Sequence, residues 1–201
     1  MSGPEIRVEP NVQKGLVACV GCGALVPNTD GPTNANLRGS PGCWAIFERV
    51  RARGIGEHRY LELQQLATDT YAVQHAEVLK HGWSQAIAPH LIGLCAIAER
   101  RLPVSVAIRA VHNAVKSRDS FGELPQPESC GELTILHVRD ATTLHDHIRR
   151  VGEWSSSVWK AWSPHHRVIR GWTADAIRRI QPTKIGAIPS RGRTTRPAND
   201  R

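Results

Sequence analysis

LHDHIRRVGEWSSSVWKAW, residues 144–162, places Leu144, His147, Ile148, Val151, Trp154, Val158 and Trp162 at steps of three and four. That spacing winds a single apolar stripe along an α-helix, and a strand of period two cannot put those positions on one face. A long helix over about 141–162 is therefore expected, with a face that other helices must cover. Ser163 and Pro164 break it, and HHRVIRGWTADAIRRI resumes the period with His165, Val168, Ile169, Trp172 and Ala176 inward. Trp154, Trp162 and Trp172 fall on these stripes and are expected in the core, with Trp159 to one side.

Working towards the N-terminus, WSQAIAPHLIGLCAIAERR gives a strongly apolar helix over about 84–101, kinked or restarted by Pro89. Residues 103–115 read as a shorter helix, although their valines and isoleucine also permit a strand. A helix over about 58–75 carries Tyr60, Leu63, Leu66, Ala67 and Tyr71 near one face and ends at His75. Another starts at Ser40 as cap and Pro41 in the first turn, with Ile46, Phe47 and Val50 at helical spacing, and stops at Gly54 or Gly56. Residues 1–18 read as an irregular or short extended lead-in, 23–40 and 117–134 as loops, and 133–139 as a brief strand or packed connection. The fold class is all-α: a helical bundle with an irregular, zinc-knuckle-like N-terminal loop packed on it.

With 201 residues the chain makes one domain of ordinary size, read here as residues 1–180 with a cysteine-bearing loop at 19–43. Residues 181–201 carry Lys184, Arg191, Arg193, Arg196 and Arg201 against Asp200, a net of +4, which is half of the formal +8 of the chain. This Pro/Gly/Thr/Arg tail lacks the apolar surface to order itself, so a solvated tail is favoured over a nucleic-acid arm. No run of 18 apolar residues occurs, and MSGPEIRVEPNVQ has neither the basic start nor the apolar core of a secretory signal. A soluble, cytoplasmic protein without a membrane partner is expected.

The chemistry lies in the cysteines, an odd set of five at 19, 22, 43, 95 and 130. In a reducing compartment such thiols serve as metal ligands or buried hydrophobes more often than as disulfides. Cys95 sits inside an apolar helical run and is expected in the core; Cys130 sits in a loop without an obvious partner. CVGCG presents Cys19 and Cys22 from one tight turn, and Cys43 in the first turn of a helix stands where unpaired amides favour a thiolate. Zinc is the metal expected, with Cys19, Cys22, Cys43 and His75 as ligands and His58 as the reserve fourth. Three buried thiols, or a redox dithiol, are the competing readings; the turn-rich loop after Cys22 argues against the latter.

A second set is His75, His90, His147, His165 and His166, with Asp69 as a carboxylate. Inward imidazoles can converge in a bundle core, although each one alone is more often a hydrogen-bonded core residue. His90, His166 and Asp69 are the candidate catalytic residues. Phosphate-binding and serine-hydrolase signatures are absent from the sequence.

The pieces CVGCGALVP with DGPT downstream, GSPGCWAIF, TDTYAVQH, HLIGLC and SVWKAWSPHH together resemble an uncharacterised bacterial family, domain-of-unknown-function family 5946, over roughly residues 19–172. The resemblance implies no activity. The family often carries a histidine after DGPT; here Asn34 takes that place, which argues against an imidazole ligand from that loop. More distantly, the helical layout is similar to DinB-type four-helix bundles, in which three histidines hold a divalent metal.

Two functions are compatible with this pattern. The favoured one is a metal-dependent enzyme, such as a hydrolase or transferase, using the inward histidines on an unknown small molecule. The other is a non-catalytic, zinc-stabilised module that binds a protein or, less favoured, a nucleic acid through the basic tail. Deleting residues 182–201 is expected to leave the melting temperature almost unchanged by calorimetry; a large fall would mean that the tail is packed.

Overall fold

The computed structural model describes residues 15–53, 58–76, 82–116 and 121–180, with the side chains of 58–62 excepted. Tyr60, the reserve ligand His58 and the basic tail at 181–201 lie outside what is described. The chain forms a two-stranded hairpin, β1 (Leu16–Ala18) and β2 (Leu25–Pro27), followed by helices α1 (Pro41–Ala52), α2 (His58–Gln74), α3 (Trp83–Leu94), α4 (Val104–Lys116), α5 (Ile135–Arg139), α6 (Leu144–Ala161) and α7 (His166–Arg178). It is an all-α fold with an irregular N-terminal loop.

Helix α6 carries the stripe that its period demands: His147, Val151, Trp154, Val158 and Trp162 are buried. Each fully buried side chain of this kind is worth about 1.5–3 kcal/mol relative to exposure. The stripe lies on α2, and α2 packs in turn on α3, which packs on α4 and α7. Helix α3 is the most enclosed, with Leu91, Ile92 and Leu94 fully buried, and it runs into a π-helical turn at Cys95–Glu99. Cys95 is buried there, as its apolar neighbours require.

Four readings are corrected. Residues 135–139, read as part of a brief strand or packed connection, form a short helix started by Thr134, whose side chain accepts from the Leu136 amide. The loop expected at 23–40 contains β2, which pairs antiparallel with β1 in the register Val17 to Val26. Trp159 is buried rather than set aside, because its indole N–H reaches Glu99 at 3.0 Å. On α7, Val168 is exposed and Thr173 is buried, since a helix turning 100° per residue from Ile169 brings 173 rather than 168 to the core.

Gln74, buried at the end of α2, ties three parts together. Its Nε2 donates to the carbonyls of Cys130 and Leu133, both at 2.8 Å, and its Oε1 accepts from the Trp154 indole at 2.9 Å. The 121–134 loop is thereby fixed to α2 and α6 without secondary structure of its own. Gln74→Leu is expected to keep the volume but orphan three buried polar groups, lowering stability by about 2–4 kcal/mol in denaturant titration.

Candidate metal centre

Three segments converge at the N-terminal end of the molecule. The β1–β2 turn supplies Cys19 and Cys22, and its shape is fixed by the Cys19 amide on the Ala24 carbonyl at 2.8 Å and the Gly23 amide on the Cys19 carbonyl at 2.9 Å. Helix α1 supplies Cys43 from its first turn. His75 follows directly on the last turn of α2, and its amide still reaches the Tyr71 carbonyl at 3.0 Å. The incoming loop is pinned to this helix end by the Arg38 amide on the His75 carbonyl at 2.8 Å and by a bridge between Leu37 and Ala76.

The ligand atoms of Cys19, Cys22, Cys43 and His75 all lie within 4.8 Å of one another. Cys22 Sγ stands 3.9 Å from Cys43 Sγ, and Cys43 Sγ stands 3.5 Å from His75 Nε2. A tetrahedral zinc with ordinary Zn–S and Zn–N bonds sets these edges at about 3.8 and 3.6 Å. A disulfide would need about 2.05 Å, and all the cysteines are free. The four side chains are therefore grouped closely enough to hold a metal ion.

The surrounding groups prepare these atoms for a cation. His75 Nδ1 donates to the Tyr71 carbonyl at 2.8 Å, which places the ring proton on Nδ1 and turns the Nε2 lone pair towards the thiols. The Ser40 amide donates to Cys19 Sγ at 3.4 Å. Ser40 does not cap α1 with its side chain, contrary to expectation; its Oγ accepts from the Val20 amide at 3.1 Å and so secures the turn. Cys19 is held well below the usual thiol range by hydrogen bonds from Cys22 and Cys43, whereas Cys43 is pushed up by its hydrogen bonds with Cys19 and Cys22 and by burial. Burial opposes a charged His75, yet the Cys19 and Cys22 side chains outweigh it and raise the imidazole to about 9. A negative cluster that draws a proton onto its imidazole has the polarity a divalent ion satisfies.

Tyr71, read from the sequence only as an apolar-face residue, belongs to this centre. Its ring stacks on His75 at 3.9 Å and on Phe47 at 4.1 Å. Its hydroxyl is buried with no hydrogen-bond partner among the described residues, and burial, with Cys43 beside it, holds the phenol proton on. The i, i+4 spacing of Tyr71 and His75 in TDTYAVQH was the available signal. Cys130, which the sequence left without a partner, donates Sγ–H to the Gly21 carbonyl at 3.3 Å. No sequence signal could have joined positions 109 residues apart.

The other histidines do not join the cluster. His90 Nδ1 pairs with Asp69 Oδ1 at 2.9 Å between α3 and α2. His147 is buried in α6, where burial and then the Arg53 guanidinium keep it below its usual range. His165 is half-buried beside Trp162, and His166 stacks on Trp159 at 3.9 Å with Nε2 donating to the Trp159 carbonyl. Among the described residues no second group of three or more His, Cys, Asp or Glu side chains reaches ligand spacing.

Fold and site together define a helical protein with a Cys₃His cluster joining its N-terminal turn to the bundle. The chain belongs to a family of unknown function, DUF5946, whose model matches residues 17–163, from β1 through α6. No curated protein and no solved structure matches it.

Gly21 is where the turn comes closest to the helix end. A Cβ there would stand 2.1 Å from the Arg38 carbonyl oxygen and 2.5 Å from His75 Cδ2. Gly21→Ala is expected to push the turn off His75 and abolish metal retention measured by elemental analysis. Gly23→Ala, in open space at φ +74°, should keep the metal and cost only about 1 kcal/mol of backbone strain.

Proposed function

We propose that this protein is a zinc-stapled helical module in which the metal has a structural role. The observation that carries the reading is the donor set itself: four protein ligands from three segments, with Cys19, Cys43 and His75 buried. A closed set of four is the arrangement of structural zinc sites, whereas catalytic sites keep a position for water or substrate. Zinc is favoured over other divalent ions because three thiolates and one imidazole in tetrahedral spacing suit a borderline-soft ion without geometric preference. The zinc-dependent enzyme reading is less well supported, because Asp69, His90 and His166 all lie outside the cluster.

The metal's mechanical consequence is to hold the N-terminal turn against α1 and α2. From there the effect reaches the 125–133 loop, since Cys130 bonds to Gly21 and Gln74 adjoins His75. That loop forms one wall of a cleft of about 660 Å³, with Glu128, Leu133, Ser157, Lys160, Pro164 and His165 among its lining residues. The partner we propose is a small molecule or protein segment received there, with zinc keeping the wall in place. Five free thiols suit a reducing, intracellular setting.

Purified protein is expected to carry about one zinc per chain by elemental analysis. Cys19→Ser or Cys22→Ser should release it and lower stability by about 4 kcal/mol or more. A fully folded protein without metal would end the proposal.

A further inference from the structure

Away from the cluster, the seam between α2 and α3 is built around a buried carboxylate. Asp69 is fully buried. Its Oδ1 accepts from Gln65 Nε2 at 3.0 Å and from His90 Nδ1 at 2.9 Å, while its Oδ2 is buried with no partner among the described residues. Helix α3 makes room for it with a glycine: a Cβ at Gly93 would stand 2.1 Å from Oδ2. Burial raises the Asp69 carboxyl and the His90 ring opposes that rise. For stability alone this is a poor arrangement, because an apolar side chain would fill the seam without stranding a lone pair.

The carboxylate does have a chemical consequence for His90. With Nδ1 committed to Asp69, the neutral ring carries its proton on Nδ1 and its lone pair on Nε2, and the His90 side chain remains 33% exposed. His166 offers no such nitrogen, since its Nε2 meets the Trp159 carbonyl and its Nδ1 meets Arg170. A buried carboxylate behind an imidazole whose side chain is one-third exposed, with no hydrogen bond at its outer nitrogen among the described residues, is the proton-accepting half of a hydrolytic relay. No serine or cysteine side chain among the described residues bonds to this ring, so the proton must come from an incoming molecule.

We propose that Asp69 and His90 form a general-base dyad, independent of the zinc centre, that hydrolyses acyl esters. His90 Nε2 takes a proton from water as the water oxygen bonds to the acyl carbon. The resulting imidazolium is held by the Asp69 carboxylate. It then returns the proton to the leaving alkoxide as the C–O bond breaks, giving acid and alcohol with no other reactant. His90 is the residue that meets the reacting water, and Asp69 is a positioning residue.

The probe is p-nitrophenyl acetate with the metal-replete full chain. Hydrolysis above the imidazole background is expected, slower in heavy water, and lowered about 100-fold by both His90→Gln and Asp69→Asn. Zinc content and melting temperature, measured on the same samples, should not change. Gln at 90 can still donate to Asp69, so that variant keeps the seam intact if Asp69→Asn fails to fold. Rates within twofold of the wild type in His90→Gln, or a rate insensitive to heavy water, would overturn the dyad. A rate lost on chelation, with the fold retained, would place the chemistry at the metal and overturn both the dyad and the structural role of zinc.

Discussion

Three thiols and an imidazole crowded into a buried space repel, desolvate and compete for protons unless a cation sits among them. That constraint organises the N-terminal third of the molecule. The hairpin is only three residues per strand, too short to stand alone in water. Its turn carries Cys19 and Cys22 to the cluster, and α1 reaches the cluster through Cys43. The Ser40 hydroxyl bonds to the turn rather than to its own helix, which shows how local capping yields to tertiary demand.

Helix α2 distributes this constraint through the rest of the fold. Within seven residues it presents Asp69 to α3, Tyr71 to Phe47 and the cluster, Gln74 to the 121–134 loop and Trp154, and His75 to the thiols. Residues that differ by one step on a helix point about 100° apart. A single polar-rich turn region can thus serve four neighbours, and each polar atom used in this way satisfies a group that would otherwise be costly to bury.

Asp69 and His75 lie six residues apart, about 9 Å along the axis. Their surroundings nonetheless engage a histidine in different ways. At the cluster, His75 is pulled towards the charged form by thiolates, and its Nε2 is turned inward. At the seam, His90 faces outward with its inner nitrogen engaged. The two centres share a helix but not a ligand, which is consistent with separate structural and chemical roles.

Helical class, the long α6 stripe, the burial of Cys95 and the grouping of Cys19, Cys22, Cys43 and His75 were legible in the sequence. Each rests on a short-range rule: the period of an apolar face, the spacing of a cysteine turn, or a helix start and a helix end. What escaped was set by contacts between distant segments. The 135–139 helix follows from capping at Thr134 and packing on α1, Trp159 is buried because Glu99 offers it an acceptor, and Cys130 found its partner in Gly21. The pairing of His90 with Asp69 was likewise decided by how α2 and α3 cross, since the sequence named both residues without joining them. Sequence specifies which faces must be buried and which atoms can bind; only the packed fold brings one face's polar atoms within reach of another's.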